Sequence, residues 1–122
     1  MKIRIRRNSI RLRLTKTEVD SLSKTGFYTE ETNFPNNTLV YKISAKDTIE
    51  AMEASFKGNT ITVYIPKKDC LDWPTNTKIG FQNTLKIDQD NTLSIMVEKD
   101  FVCMDETVED QTDNYPNPKG NI

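Results

Sequence analysis

Apolar and polar residues alternate strictly at the start of the chain, where Ile3, Ile5, Ile10, Leu12 and Leu14 interleave with Lys2, Arg4, Arg6, Arg11 and Arg13. Period-two alternation places the aliphatic side chains on one face of a strand pair and the cationic ones on the other. It breaks at Arg7-Asn8, a two-residue turn in which Asn tolerates positive φ better than Arg does. A hairpin over residues 2–14 is therefore expected, with Arg7 as its weak spot. Thr15 and Glu18 then have the spacing of a capping box, Val19 and Leu22 fall on one face, and Gly26 ends a helix of about two turns.

Phe27 to Phe34 and Thr38 to Ser44 read as two strands rich in aromatic and β-branched residues, joined across Pro35-Asn36-Asn37. Thr48 to Phe56 has some helical propensity, but it runs directly into the turn residues Lys57, Gly58 and Asn59, and a strand is expected. Ile61 to Ile65 forms its hairpin partner. Pro66 can open a second short helix whose apolar side is Cys70, Leu71 and Trp73, and Pro74 ends it. Lys78 to Phe81 with Leu85 to Ile87, and then Asn91 to Val97, supply the last strands on either side of Asp88-Gln89-Asp90.

Each half thus reads ββαββ, over 2–45 and 48–101. Displaced so that Asn8 falls on Asn59, Ser9 meets Thr60, Ile10 meets Ile61, Leu12 meets Val63, Leu14 meets Ile65, Lys16 meets Lys67, Glu18 meets Asp69, Val19 meets Cys70 and Leu22 meets Trp73. Alternation alone fixes some of these pairs, but the turn, strand and helix start match as a unit, which points to an internal repeat. The expected fold is mainly β (α+β): an antiparallel β-barrel or highly curved sheet built from two pseudo-symmetric repeats, with two short helices against its ends or sides. Closure would hide the strand edges.

Composition narrows the class. The chain has 122 residues, net charge -1, 35% hydrophobic residues and no histidine. One domain over 1–103 is expected, with a thin core and a polar tail over 104–122. No apolar run reaches the roughly 7–15 residues of a signal peptide core or the ~20 of a membrane span, so a cytoplasmic location away from the membrane is expected. Cys70 and Cys103 are too far apart in sequence for a CxxC site and too few for a disulfide framework; both are expected to be reduced and buried.

Two resemblances follow. The run from Asn8 to Val19, and again that from Asn59 to Lys68, resembles the hairpin-to-helix core of AbrB-like and MazE-like swapped-hairpin proteins. That resemblance implies a DNA-binding barrel with both halves in one chain. Arg7 stands where that family usually has glycine, and Thr15 where it often has proline. More of the chain, including Val97 to Cys103, Glu109-Asp110 and Tyr115 to Pro118, resembles a family of small bacterial conserved proteins of unknown function. This wider resemblance implies no activity.

Candidate chemistry is sparse. Without histidine the commonest general base and imidazole ligand are missing, and there is no glycine-rich phosphate loop or GxSxG elbow. Ser9 and Ser55 have no visible activating partner. Cys70 would be a nucleophile only with a lowered pKa, and a buried helix cysteine is the favoured reading. Trp73 and Phe56 are expected in the core. The tail acids lack EF-hand spacing, so no metal and no cofactor is expected.

What remains is the charge pattern. Lys2, Arg4, Arg6, Arg7, Arg11, Arg13 and Lys16 precede the first acidic residue, Glu18, whereas Asp105, Glu106, Glu109, Asp110 and Asp113 crowd the other end. These acids are expected to pair with Arg4, Arg6, Arg11 and Arg13, with Tyr115 as an apolar anchor. The sequence reads as a non-catalytic module for a protein partner. The alternative is a nucleic-acid-binding protein whose arginine face is masked by its own tail.

Overall fold

The computed structural model describes residues 1–101 and 112–116. Eight strands and two helices follow in order: β1 (Lys2–Arg6), β2 (Ser9–Leu14), α1 (Lys16–Thr25), β3 (Phe27–Asn33), β4 (Thr38–Lys46), β5 (Glu53–Lys57), β6 (Thr60–Pro66), α2 (Lys67–Cys70), β7 (Gly80–Lys86) and β8 (Thr92–Lys99). They form two four-stranded sheets, ordered β1-β2-β8-β7 and β3-β4-β6-β5.

This corrects the expected architecture in two respects: the strands make two sheets with open edges rather than a closed barrel, and the pairing is mixed rather than antiparallel. Each sheet joins two antiparallel hairpins through a parallel central pair, β2 with β8 and β4 with β6. The reason lies in which strands are most apolar. Leu12, Leu14, Ile95 and Val97 on one central pair, and Ile43, Val63 and Ile65 on the other, are at most 1% exposed. The outer strands carry Lys2, Arg4 and Arg6, Glu30 and Glu31, Glu53 and Lys57, or Gln82 and Lys86. Apolar strands at the centre bury more surface, and charged strands at an edge resist pairing with another chain.

The hairpin turns repeat a detail. Arg7 has φ 51° and Gly58 φ 58°, both in the left-handed region. The next residue is an asparagine in each case. Asn8 Nδ2 donates to Thr92 O at 2.6 Å and Asn59 Nδ2 to Thr38 O at 2.6 Å. Their carbonyls accept from Ser94 N at 3.1 Å and Val40 N at 2.9 Å. Each asparagine therefore stitches its own hairpin to the start of the parallel neighbour, satisfying groups that a sheet end would otherwise leave open.

The inner faces of the two sheets enclose the core, together with Val19 and Leu22 of α1 and with Cys70 and Trp73. Trp73 is fully buried; its Nε1 donates to Lys78 O at 2.8 Å and its ring meets Phe81 edge-on at 5.1 Å. The expected strand from Thr48 starts only at Glu53, because the preceding turns bury Ile49 and Met52 instead. The second helix is one turn, shorter than expected. The two pieces expected within Lys78 to Ile87 form one continuous strand, β7 (Gly80–Lys86). Phe56 is not in the core: it is 70% exposed.

Candidate cationic face

Lys2, Arg4 and Arg6 project from one side of β1 because strand side chains alternate. Cross-strand register sets Lys2 opposite Arg13 and Arg4 opposite Arg11, so all five cations share the outer face of their sheet. Next to them, β8 places Met96 beside Arg11 and Glu98 beside Arg13. The Arg11 guanidinium grips Glu98 with two bonds, Nε to Oε1 at 2.5 Å and Nη2 to Oε2 at 3.3 Å. Lys2 Nζ lies 3.2 Å from Oδ2 of the buried Asp100. Arg4, Arg6 and Arg13 form no ion pair among the described residues. A hollow of about 170 Å³ opens on this face, bounded by Arg4, Arg6, Arg11 and Met96.

Glu98 and Asp100 are partners that sequence reasoning missed. Period-two counting along Ser94, Met96 and Glu98 puts Glu98 outward, but nothing local says that β8 lies beside β2.

Of the expected tail partners, Asp113 and Tyr115 are described, whereas Asp105, Glu106, Glu109 and Asp110, like Cys103, lie outside the described residues. Asp113 sits at the start of α1. Its carbonyl accepts from Lys16 N at 3.0 Å, and its Oδ1 accepts from Thr17 Oγ1 at 2.9 Å and Thr17 N at 3.3 Å. Hydrogen bonds from Thr15 and Thr17 hold its carboxyl below the usual range. Tyr115 N donates to Asp100 O at 2.8 Å, and its ring packs on Phe101 at 5.7 Å. Lys99 Nζ lies 5.0 Å from that ring and 5.9 Å from that of Trp73, and it donates to Asn76 O at 2.7 Å. Burial lowers the Lys99 pKa. Neither Asp113 nor Tyr115 forms a hydrogen bond or ion pair with Arg4, Arg6, Arg11 or Arg13. Phe101 and Tyr115 are bridged next to Asp100, the residue whose carboxylate pairs with Lys2.

The Met1 ammonium, Glu18 and Cys70 lie away from this face. The Met1 ammonium is fully buried, bonded to Glu18 Oε2 and, at 3.1 Å, to Glu30 Oε1. The same Glu18 carboxylate closes the capping box through Oε1, which accepts from Thr15 N at 2.8 Å. Burial alone would raise the Glu18 pKa, but the Met1 ammonium and the Thr15 bonds outweigh it and the net shift is downward. The Cys70 thiol is pushed up to about 12 by burial and by Asp69, which keeps it protonated and poorly nucleophilic. Among the described residues no cluster of three or more Cys, Asp or Glu side chains could hold a metal ion, and no helix is long and apolar enough to cross a membrane.

These features define a mainly β, two-sheet protein with two short helices and a cationic face on one outer sheet surface. The chain belongs to a family of unknown function, DUF7009, whose model matches residues 1–119. No curated protein and no solved structure matches it.

Proposed function

We propose that this protein is a non-catalytic binding module whose working surface is the outer face of β1 and β2, and whose ligand is a phosphate backbone of nucleic acid. The observation that carries this reading is the shared face of Lys2, Arg4, Arg6, Arg11 and Arg13, with Arg4, Arg6 and Arg13 forming no ion pair among the described residues. Two residues along a strand span about 6.8 Å and neighbouring strands lie about 4.8 Å apart, so the cations form two rows rather than a point site. Rows of guanidinium groups suit a repeating anion that binds through charge and counterion release. The acidic residues Asp105, Glu106, Glu109 and Asp110 are read as an internal competitor for this face, a reading supported by opposite charge and by the Phe101–Tyr115 bridge beside Asp100, the partner of Lys2.

The chain is further read as two ββαββ repeats, each sheet taking one hairpin from each repeat. Supporting this are the paired left-handed positions Arg7 and Gly58 and the equivalent bonds of Asn8 and Asn59. Exchange of the repeats would carry one sheet order onto the other.

The test is fluorescence anisotropy with mixed-sequence duplex and single-stranded oligonucleotides across a salt series. Two variants accompany the parent: one with Arg4, Arg6 and Arg13 changed to Ser, the other with Asp105→Asn, Glu106→Gln, Glu109→Gln and Asp110→Asn. Removing three phosphate contacts should flatten the slope of log K against log salt by about 2–3. Neutralising the acids should strengthen binding, and unlike truncation it leaves Asp113 and Tyr115 in place. Absence of binding at low salt even for the neutralised variant sinks the nucleic-acid reading. Binding of polyglutamate in its place would make the ligand an acidic protein segment.

A further inference from the structure

A second surface lies between the sheets, away from the cationic face. At the end where the first hairpin turns, the sandwich opens into a cleft of about 510 Å³, within the range that small ligands fill. Ile5 pairs with Ile10 on one side, and Phe56 pairs with Ile61 on the other. Ile87 and Leu93 line the cleft as well. Ile5 is 59%, Phe56 70% and Ile87 58% exposed. Single exposed apolar residues are ordinary, but three around one apolar cavity are not scattered, and such a patch marks a contact surface.

The charge of the cleft is one-sided. Among the described residues Arg7 is its only charged lining residue, with Asn8, Ser9 and Ser55 supplying the polar remainder. Arg7 also holds a left-handed backbone, φ 51°, at the place where the other hairpin has Gly58. A long side chain in that region costs about 1–2 kcal/mol, which glycine avoids. Strain kept at a single charged group on the rim of an apolar cleft is the pattern of a ligand-orienting residue.

We propose that this cleft binds a small amphiphilic anion, its apolar body between the Ile5/Ile10 and Phe56/Ile61 pairs and its acidic head on the Arg7 guanidinium. The occupant is a carboxylate- or sulfonate-headed chain rather than a neutral or cationic one, because the charge that the described lining offers it, Arg7, is positive. This inference uses neither the outer cationic face nor the acidic stretch, so it stands or falls separately from nucleic-acid binding.

Isothermal titration with decanoate, decanol and decyltrimethylammonium tests it on the full chain. Decanoate should saturate at one per chain, decanol should bind more weakly, and the cation should not bind. Arg7→Gly leaves a turn of the kind that Gly58 already makes, so its thermal midpoint should equal or exceed the parent's. It should weaken decanoate about tenfold and leave decanol unchanged, the loss expected for one charge-assisted hydrogen bond. Phe56→Ser should weaken both ligands. Equal decanoate affinity in the parent and Arg7→Gly would overturn the assignment of Arg7, and lack of saturable binding by the parent would overturn the site. Sedimentation of the parent and Phe56→Ser adds one further outcome: a dimer that only the parent forms, with no ligand uptake, means that a second copy covers the cleft and the proposal fails.

Discussion

Glu18 has Thr15 and the Met1 ammonium as partners, and together they decide its behaviour with pH. The residue is buried, and its carboxylate closes the helix cap and faces the buried Met1 ammonium. Because its folded pKa is depressed below 4.5, its contribution to stability is complete above the unfolded value and fades as pH falls through the folded one. Glu18→Gln should therefore cost about 1–3 kcal/mol near neutrality, the cost of a lost charge-assisted bond in a partly buried site. Urea unfolding of both proteins from about pH 6 down to about pH 3 should show the gap narrowing as the parent's carboxylate protonates. A gap of constant width would mean that the carboxylate charge is immaterial. At this scale the sequence was only half legible. Thr15 and Glu18 announce a capping box by their spacing, but no local pattern says that Glu18 also neutralises an ammonium seventeen residues away. Arg7 is a similar case. Its poor fit to a turn can be read from residue type, whereas the apolar cleft beside it requires both sheets.

Among the elements, α1 is the best specified. Its N-cap Thr15, its capping box and Gly26 at φ 87° are all as the residue pattern requires. Its start also receives Asp113, whose carboxylate takes the Thr17 N–H and hydroxyl. An anion at a helix N-terminus is favoured by the unpaired amides and the helix dipole. Asp113→Ala should lower stability by about 1 kcal/mol. Hydrogen exchange provides the check: protection should fall in the first turn of α1 and leave β6 unaffected. Uniform loss across the protein would show that residues 112–116 support the whole core instead. The hairpin β1-β2 and the turn of β5-β6 were also legible, because alternation and turn residues are local signals, whereas the start of β5 at Glu53 rather than Thr48 was not. The parallel joins were not. They are selected by competition among strands for the sheet centre, and that depends on the apolar content of all eight at once.

For the whole molecule, the consequential feature is how the hairpins are shared out. The first half of the chain contributes β1-β2 to one sheet and β3-β4 to the other; the second half contributes β7-β8 and β5-β6. Neither half contains the parallel central pair of either sheet. The strands that bury most apolar area thus find their partners only across the halves, and such distant pairings slow folding by their loop-closure cost. The chain is consequently a natural two-piece lock. Cut in the turns between β4 and β5, each fragment carries two hairpins with exposed central edges, and by circular dichroism neither should fold alone. Mixed in equal amounts, the fragments should recover the native spectrum and a single cooperative melt. A fragment that folded by itself would refute the interdependence of the halves. If reconstitution succeeds, fluorophores on the two pieces would report their union, making this small protein a split sensor whose signal depends on both sheets closing together.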